Sequence, residues 1–380
     1  MTALSLVGTS VGVDAARAIG EALSNHTELQ EALWADMFVS RLKDEIPEAL
    51  IALGNGLKSG SCQLSLLDLS DNAIGPVGFR GLAPWLVSPV CYYLQELKLN
   101  NTGMGPHGSC LLADALEELV DATKSLGGFK LRSFICGRSR VENQGAKKLA
   151  SVFAKMGHLE KIVMPQDGIG HEGIAAICNA LKCNPKMKHI DFSDNTLTKP
   201  GSEAIAQLLP DLPELEVLIL GDCLLTDEGA FAIASALEHS HLPNLQHLSI
   251  QYNELGLDSI SAVVESLEQK TALECFEISG NPIGREGAEQ IEGMLDALDK
   301  AHVLGELEEI DDEYDEEDDE EEEENENAEE DNENINNGAS AVGKDLSSKQ
   351  REDVSGPFVV RGVGIKQTPT SEASSKTNVS

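Results

Sequence analysis

The feature that most constrains this chain is an internal repeat with a period of 28 residues. Similar units begin, in order, at Met1, Leu29, Leu64, Leu94, Leu131, Leu159, Met187, Leu215, Leu245 and Leu273. Five of the nine spacings between these starts are 28 residues. A fixed period of this size indicates a solenoid, in which each unit packs only against its neighbours.

Each unit follows the pattern Leu-x-x-Leu-x-Leu-x-x-Asn and continues into a segment rich in Ala and Leu. In the seventh unit Ile190 and Phe192 are the alternating apolar residues, and Asn195 occupies the turn. The alternation predicts a short strand, and segments such as residues 229–237 have high helix propensity. Together they predict an α/β fold, a leucine-rich-repeat horseshoe solenoid of the ribonuclease-inhibitor type, with a parallel β-sheet on its concave face.

The turn asparagine is replaced in six units. The substitutes are Thr9, Met37, Thr102, Ser139, Asp167 and Cys223. Thr, Ser and Asp keep part of the hydrogen-bonding capacity, whereas Met37 and Cys223 are expected to replace it poorly. Two units are longer than the others, the second over residues 29–64 and the fourth around residues 121–130. Insertions in solenoids often lie on the binding side; the alternative is that these extra residues have no function.

Charge and periodicity divide the chain into three segments. We predict a leucine-rich-repeat domain of about ten repeats at residues 1–304, an acidic disordered region at 305–333 and a disordered tail at 334–380. Residues 306–333 hold 21 Asp or Glu and no Lys or Arg. Of the net charge of −37, −18 remains on residues 1–305. This acidity argues against nucleic-acid binding and favours a basic protein partner.

The chain lacks the sequence motifs that are typical of several functional classes. The eight cysteines are scattered without a CxxC motif, so we expect buried thiols in a reducing compartment, with neither a disulfide framework nor a metal site. There is no secretory signal, no apolar run of about 20 residues, no phosphate-binding glycine loop and no nucleophile motif. We therefore expect a soluble, intracellular, monomeric binding protein that holds no cofactor and has no enzyme site of its own.

Residues 38–50 break the repeat pattern and carry their own chemistry. Arg41 and Lys43 lie just before a predicted helix that opens with Asp44, Glu45 and Pro47, which are ordinary residues for a first helical turn. Two cations ahead of that turn oppose the positive end of the helix dipole. This loop is therefore a candidate functional site, and an ordinary solvated loop end is the alternative.

Five stretches together resemble the Ran GTPase-activating proteins. They are residues 38–50, 69–76, 94–105, 135–143 and 164–169, and the resemblance covers residues 1–333, including the acidic run. It implies that the chain is not itself an enzyme but stimulates GTP hydrolysis by GTP-bound Ran. It further implies action in the cytoplasm and at the periphery of the nuclear envelope, which keeps cytoplasmic Ran in its GDP form and supports the direction of nuclear transport.

The same resemblance implies roles for individual residues. Asn101 matches an asparagine that holds Ran's own catalytic glutamine where it orients the attacking water. Arg41 matches an essential arginine that does not act as a finger, and Lys43 lies in the same contact region. The remaining predicted partner contacts are Asn72, Arg138 and Arg140.

This chain also departs from the family pattern. Ser139 stands where relatives carry Asn, and Thr102 replaces the second of two asparagines, next to Asn101, which it could shift. A Ran-binding protein is a further expected partner. The larger carboxy-terminal domain of vertebrate members is not recognisable in residues 334–380, so anchoring at the nuclear pore by that route is not expected. The first repeat begins at Met1, which leaves little room for a cap.

Two other functions fit the residues without the resemblance. A leucine-rich-repeat scaffold or inhibitor could hold a basic protein on its sheet with no effect on GTP turnover. Residues 306–333 could bind basic proteins as an acidic chaperone, whereas most such charge runs only aid solubility.

Overall fold

The computed structural model describes residues 1–307, in which ten short strands alternate with ten α-helices. The strands are β1 (Ala3–Ser5), β2 (Glu31–Leu33), β3 (Leu66–Asp68), β4 (Glu96–Lys98), β5 (Ser133–Ile135), β6 (Lys161–Val163), β7 (His189–Asp191), β8 (Val217–Ile219), β9 (His247–Ser249) and β10 (Cys275–Glu277). The helices are α1 (Val13–Leu23), α2 (Glu45–Ser59), α3 (Gly75–Leu86), α4 (Gly105–Thr123), α5 (Glu142–Met156), α6 (His171–Leu181), α7 (Thr198–Leu208), α8 (Asp227–His239), α9 (Leu257–Ser266) and α10 (Gly284–Ala297).

The ten strands form one parallel sheet in chain order. Leu97 of β4, for example, lies opposite Leu67 of β3 and Phe134 of β5. Because neighbouring parallel strands need a crossover connection, each helix covers the sheet between two strands and packs on the next helix. The predicted α/β leucine-rich-repeat class is confirmed. All strands therefore end at one edge of the sheet, called here the strand-exit edge, where the chain turns into the following helix.

The core lies between the sheet and the helices and is built mainly from aliphatic side chains. The central residue of each strand points inward, as Leu97 and Ile162 do, and both are fully buried. Phe134 meets Phe153 of α5 edge to face, with ring centroids 5.1 Å apart. Truncating such a ring to alanine costs about 3–5 kcal/mol. The core thus fixes the positions of the loops at the strand-exit edge.

Asparagines at the turn position connect successive repeats through buried hydrogen bonds. The Oδ1 atom of Asn253 accepts from the backbone N–H of Cys223 at 2.8 Å and of Leu225 at 3.2 Å. Its Nδ2 atom donates to the carbonyl oxygen of Leu220 at 2.8 Å and to that of Gln251 at 2.8 Å. We call these positions the ladder, because each one ties its own turn to the preceding turn.

The residues that stand in place of asparagine in the ladder differ in how many of its hydrogen bonds they retain. The thiol of Cys223 contacts the carbonyl oxygens of Phe192 and Gly221 at 3.2 and 3.3 Å, so it retains more of the bonding than predicted, although a thiol is a weak donor. Met37 is fully buried and offers no such group. Its backbone N–H donates to Asn72 Oδ1 of the next repeat at 2.9 Å, as the N–H of Cys223 does to Asn253.

The two long units place their extra residues at opposite edges. In the second unit the loop after β2 is long and leads into α2, at the strand-exit edge. In the fourth unit α4 is 19 residues long and is followed by a 3-10 turn, Lys124–Leu126, before β5 begins. Since that turn enters a strand, it lies at the opposite edge. Only the first insertion therefore adjoins the predicted site.

The described array continues to its last residues. Leu304 forms a parallel bridge with Phe276, and the backbone N–H of Gly305 donates to the carbonyl oxygen of Phe276 at 2.8 Å. Ser279 donates its hydroxyl to the carbonyl oxygen of Glu306 at 2.6 Å. The predicted acidic region beyond residue 307 and the tail at 334–380 lie outside the described residues. Within residues 1–307, no helix combines the length and the apolar character needed to cross a membrane.

Candidate functional site

All ten repeats place one residue in the left-handed backbone region just before the ladder position, at the strand-exit edge. We call this line of residues the exit row; it consists of Gly8, Asp36, Asp71, Asn101, Arg138, Gln166, Asp194, Asp222, Tyr252 and Gly280. Their φ angles run from 49° to 74°. Backbone hydrogen bonds also connect neighbouring repeats along this row. For example, the N–H of Asn101 donates to the carbonyl oxygen of Gly137, the residue before Arg138, at 2.7 Å. A left-handed conformation costs most residues about 1–2 kcal/mol, and Asn and Asp tolerate it best.

Asn101 lies exposed between two charged members of the exit row. Its Nδ2 atom donates to Asp71 Oδ1 at 3.1 Å. The same carboxylate oxygen lies 3.7 Å from Arg138 Nη2. In the part of the chain that the structure describes, Asn101 Oδ1 takes part in no hydrogen bond. Asp71 thus fixes the direction of the amide and leaves its carbonyl oxygen available as an acceptor.

The two ladder substitutes below Asn101 hold its turn through hydroxyl groups. Thr102 and Ser139 are fully buried, and their hydroxyl oxygens lie 3.1 Å apart. Both hydroxyls also contact the carbonyl oxygen of Leu99, at 3.1 and 2.9 Å. Ser139 Oγ additionally accepts from the backbone N–H of Thr102 at 3.1 Å. The pair replaces part of the missing asparagine bonds, which favours a structural interpretation of both departures from the family pattern.

A buried carboxyl group lies below the loop that carries Arg138 and Arg140. Asp167 is fully buried, and its Oδ1 atom accepts from the backbone N–H of Ser139 at 2.7 Å. Its Oδ2 atom has no hydrogen-bond partner among the described residues. Burial raises the pKa of Asp167 to about 7, against the lowering effect of the Ser139 N–H. In ladder asparagines the equivalent position is an Nδ2 donor, so a protonated Asp167 resembles an asparagine and an ionised one does not.

Arg41 lies in the loop before α2, as predicted, but it is only partly exposed rather than freely exposed. Its Nε and Nη2 atoms donate to Ser10 Oγ at 2.9 and 2.8 Å. A methyl group placed on Gly12 would come within 2.9 Å of Arg41 Nη1, so the guanidinium lies across the start of α1. Within residues 1–307 it forms no salt bridge, although it lies near the positive end of a helix. It is therefore a fixed cation without a counter-charge.

Lys43 and Arg140 are exposed, and within residues 1–307 neither side chain forms a hydrogen bond or an ion pair. Lys43 lies at the turn before α2, whose first residue is Glu45. Arg140 has a φ of 58° and follows Ser139 in the loop after β5. Together with Arg41 and Arg138, they give the strand-exit edge of repeats two to five a group of cations within an acidic protein. This group suits a negatively charged surface of a partner.

Asn72 differs from its predicted role as a direct partner contact. Its side chain is 2% exposed, and Oδ1 accepts from the backbone N–H groups of Met37 and Phe38 at 2.9 and 3.1 Å. Its Nδ2 atom donates to three carbonyl oxygens, including that of Trp34 at 2.9 Å. A buried amide with five bonds has no group left for a partner. Its contribution is to position the backbone that leads into the Arg41 loop.

The structure thus brings Arg41, Lys43, Asn101, Arg138 and Arg140 to one edge of four consecutive repeats. Strands β2 and β4 are two strand spacings apart, about 10 Å, which one protein surface can span. Asp71 and Ser10, which orient Asn101 and Arg41, were not predicted from the sequence, because contacts between residues about 30 positions apart are visible only when repeats are aligned position by position. No group of metal-ligating side chains lies among the described residues of this edge.

Comparison with known proteins adds to this geometry. A family model described as Leucine Rich repeat matches residues 61–83, 183–206, 213–234 and 241–264. The Ran GTPase-activating protein of Drosophila melanogaster is 40% identical over 317 residues, covering 82% of this chain and 53% of that protein. Ran GTPase-activating protein 1 of Xenopus laevis is 43% identical over 308 residues, covering 81% and 53%. Its namesake in Saccharomyces cerevisiae is 32% identical over 290 residues, covering 74% and 70%. The chain therefore spans about half the length of the fly and frog proteins.

Proposed function

The chain belongs to the Ran GTPase-activating protein family, and from that premise we propose that it stimulates GTP hydrolysis by Ran. The observation that carries the proposal is Asn101, an exposed amide that Asp71 orients at the strand-exit edge. The partner is Ran in its GTP-bound form, with a Ran-binding protein as a further member of the complex. The chain acts as a regulator of another protein's active site and needs no cofactor.

Asn101 contributes by positioning rather than by supplying charge. In phosphoryl transfer the protein mainly has to hold the reactants in line and keep the attacking water oriented. With Nδ2 held by Asp71, the free Oδ1 atom can accept from the side-chain N–H of Ran's catalytic glutamine. The glutamine carbonyl then faces the attacking water. Covering this centre also excludes bulk water, which strengthens the remaining electrostatic interactions.

Arg41 contributes to docking rather than to the nucleotide site. Ser10 holds two of its N–H groups, and the guanidinium lies across Gly12, so the side chain is not free to extend as an arginine finger does. It keeps further N–H groups on Nη1 and Nη2 for a carboxylate of Ran. A fixed guanidinium loses little side-chain entropy on binding, which favours a strong contact.

Lys43, Arg138 and Arg140 complete the contact through their charges. They are exposed, and among the carboxylates of residues 1–307 Asp71 lies 3.7 Å from Arg138, while Lys43 and Arg140 form no salt bridge. Their attraction for an acidic surface raises the association rate and fixes the orientation of the complex. The chain acts as a monomer in the cytoplasm and at the periphery of the nuclear envelope, where it keeps Ran in the GDP form and so supports the direction of nuclear transport.

The test measures phosphate release from GTP-loaded Ran with and without the purified chain. We expect a large stimulation at substoichiometric amounts of the chain. A Ran variant with leucine in place of the catalytic glutamine should bind the chain and show no stimulation, because the residue to be positioned is missing. Binding of wild-type Ran without faster hydrolysis would instead support the scaffold function, and the proposal would be wrong.

A further inference from the structure

Three residues with metal-binding side chains meet on the open face of the sheet, in repeats nine and ten. They are far along the array from Arg41 and Asn101. His247 begins β9, and Cys275 and Glu277 begin and end β10. The strand register sets Cys275 opposite His247, while Glu277 lies two residues further along the same strand. Because side chains alternate along a strand, these three share the face opposite the core, which receives Leu248 and Phe276.

The ligating atoms of the three side chains are close together. His247 Nε2 and Glu277 Oε2 are 2.8 Å apart, and the nitrogen, sulfur and oxygen donors all lie within 4.8 Å of one another. A tetrahedral ion with bonds of about 2.0–2.3 Å separates its ligands by about 3.3–3.8 Å. The observed donor distances, from 2.8 Å up to the 4.8 Å limit, bracket that separation. All three residues are half-buried, so the ion would be partly shielded and still reachable from solvent.

The donor set selects the class of metal. Magnesium and calcium prefer oxygen ligands, whereas imidazole and thiolate donors are typical of zinc and related transition metals. Burial, and then the negative charge of Glu277, raises the pKa of the Cys275 thiol, so the thiol carries its proton when no cation is near. A divalent cation between the two groups would remove this repulsion and release the proton.

We infer that His247, Cys275 and Glu277 bind one divalent transition-metal ion of the zinc type. Three protein ligands leave a fourth position for water or for a side chain of a bound protein. His189 lies on the same face but two strands away, about 10 Å, and does not join the site. The sequence predicts no metal site, because these ligands come from neighbouring repeats and form no short motif.

The test titrates the metal-free, untagged chain with Co²⁺, which reports sulfur ligation through a thiolate-to-cobalt charge-transfer band in the near ultraviolet. We expect one equivalent of Co²⁺ to bind at micromolar concentration and one equivalent of Zn²⁺ to displace it. Cys275→Ser should abolish the charge-transfer band, and His247→Ala should weaken binding by at least about 10-fold. Cys183→Ser, which removes an exposed thiol elsewhere, is the matched control and should leave the titration unchanged.

Two results would overturn the inference. One is the absence of saturable binding in a folded wild-type chain; the other is a band that persists in Cys275→Ser and disappears in Cys183→Ser. In either case the cluster is a hydrogen-bonded His–Glu pair beside an ordinary half-buried thiol. The readout does not involve GTP hydrolysis, so it is independent of the function proposed above.

Discussion

The amino-terminal and carboxy-terminal halves of the array share one backbone plan but use it differently. In repeats seven, nine and ten the ladder keeps its asparagines, Asn195, Asn253 and Asn281, each bonded to two backbone N–H groups of the preceding repeat. In repeats two, four, five and six the ladder carries Met37, Thr102, Ser139 and Asp167. These departures lie below Arg41, Asn101, Arg138 and Arg140, the residues with the strongest functional indications.

Most candidate site residues lie beside ladder positions that have lost asparagine, but the two features are separable: Cys223 of repeat eight is a replacement without a candidate residue, and Asn72 of repeat three is an intact position next to the Arg41 loop. Where the repeats follow their pattern, the turn side chains are buried and bonded to the backbone, so they stabilise the stack. Where the pattern breaks, hydroxyl and carboxyl groups replace the amides, and the exit row above them presents Asn101, Arg138 and a long loop with Arg41. Substitutions in equivalent positions of the two halves can sharpen or refute this comparison.

The largest effect is expected from Arg41→Ala. Removing a fixed cation from a docking contact costs about 3–4 kcal/mol, or about 100- to 1,000-fold in Ran-stimulated hydrolysis at limiting Ran. Arg41→Lys should recover only part of the loss, because a lysine lacks the planar fork. Arg132→Ala is the control, since Arg132 precedes β5 at the opposite edge of the sheet, where it lies 3.7 Å from Glu160. Equal losses in Arg41→Ala and Arg132→Ala would contradict the assignment.

A paired substitution in the ladder should separate stability from activity. Asn72 and Asn195 each make five hydrogen bonds to the backbone. Asn72→Ala and Asn195→Ala should each lower the free energy of unfolding in urea by about 3 kcal/mol, because buried N–H groups lose their acceptor. Only Asn72→Ala should also reduce stimulated hydrolysis in the folded protein, by about 10-fold, since Asn72 holds the start of the Arg41 loop. Loss of activity in both variants to the same extent would remove the distinction between the halves.

Asp167→Asn should stabilise the protein at alkaline pH. The folded state raises the pKa of Asp167 to about 7, above the usual value near 4, so folding binds a proton between these values and stability falls as pH rises through that window. Above about pH 7 Asp167 is ionised in the folded state, and the free-energy cost of burying its charge lowers stability in full. The asparagine variant should therefore gain about 4 kcal/mol at pH 8 and almost nothing at pH 4. The exposed Asp194→Asn change is the control, and a gain independent of pH would rule out this account.

A smaller effect is expected when the support of Arg41 is removed. Ser10→Ala deletes the hydroxyl that accepts from both Nε and Nη2 of Arg41 but leaves the cation in place. Titrating Ran against this variant should show stimulation weakened by about 5-fold, close to 1 kcal/mol. Ser24→Ala, which removes a hydroxyl bonded to the Glu21 carbonyl at the end of α1, should have no effect. A fully active Ser10→Ala protein would show that Arg41 is not held in this way when Ran is bound.

Much of the fold follows from the sequence, because a period of 28 residues with alternating apolar positions leaves few other arrangements. The roles of Arg41, Lys43 and Asn101 stay predictions; the sequence alone singles out Arg41 and Lys43, whereas Asn101 required a family resemblance, since alone it looks like another turn asparagine. The burial of Asn72 could have been inferred from its ladder position, which every intact repeat uses structurally. The contacts from Asp71 to Asn101 and from Ser10 to Arg41 could not, because they join exposed side chains of separate repeats.

The most direct measurement compares Asn101→Ala with Asp194→Ala in single-turnover phosphate release from GTP-loaded Ran at saturating chain. Both residues are exposed members of the exit row with nearly equal φ angles, 51° and 55°, so both substitutions impose a similar backbone cost. The account predicts that Asn101→Ala slows the hydrolysis step by about 100-fold with Ran binding largely kept, and that Asp194→Ala leaves the rate unchanged. Equal rates for the two variants would contradict the claim that this edge of repeats two to five positions Ran's glutamine.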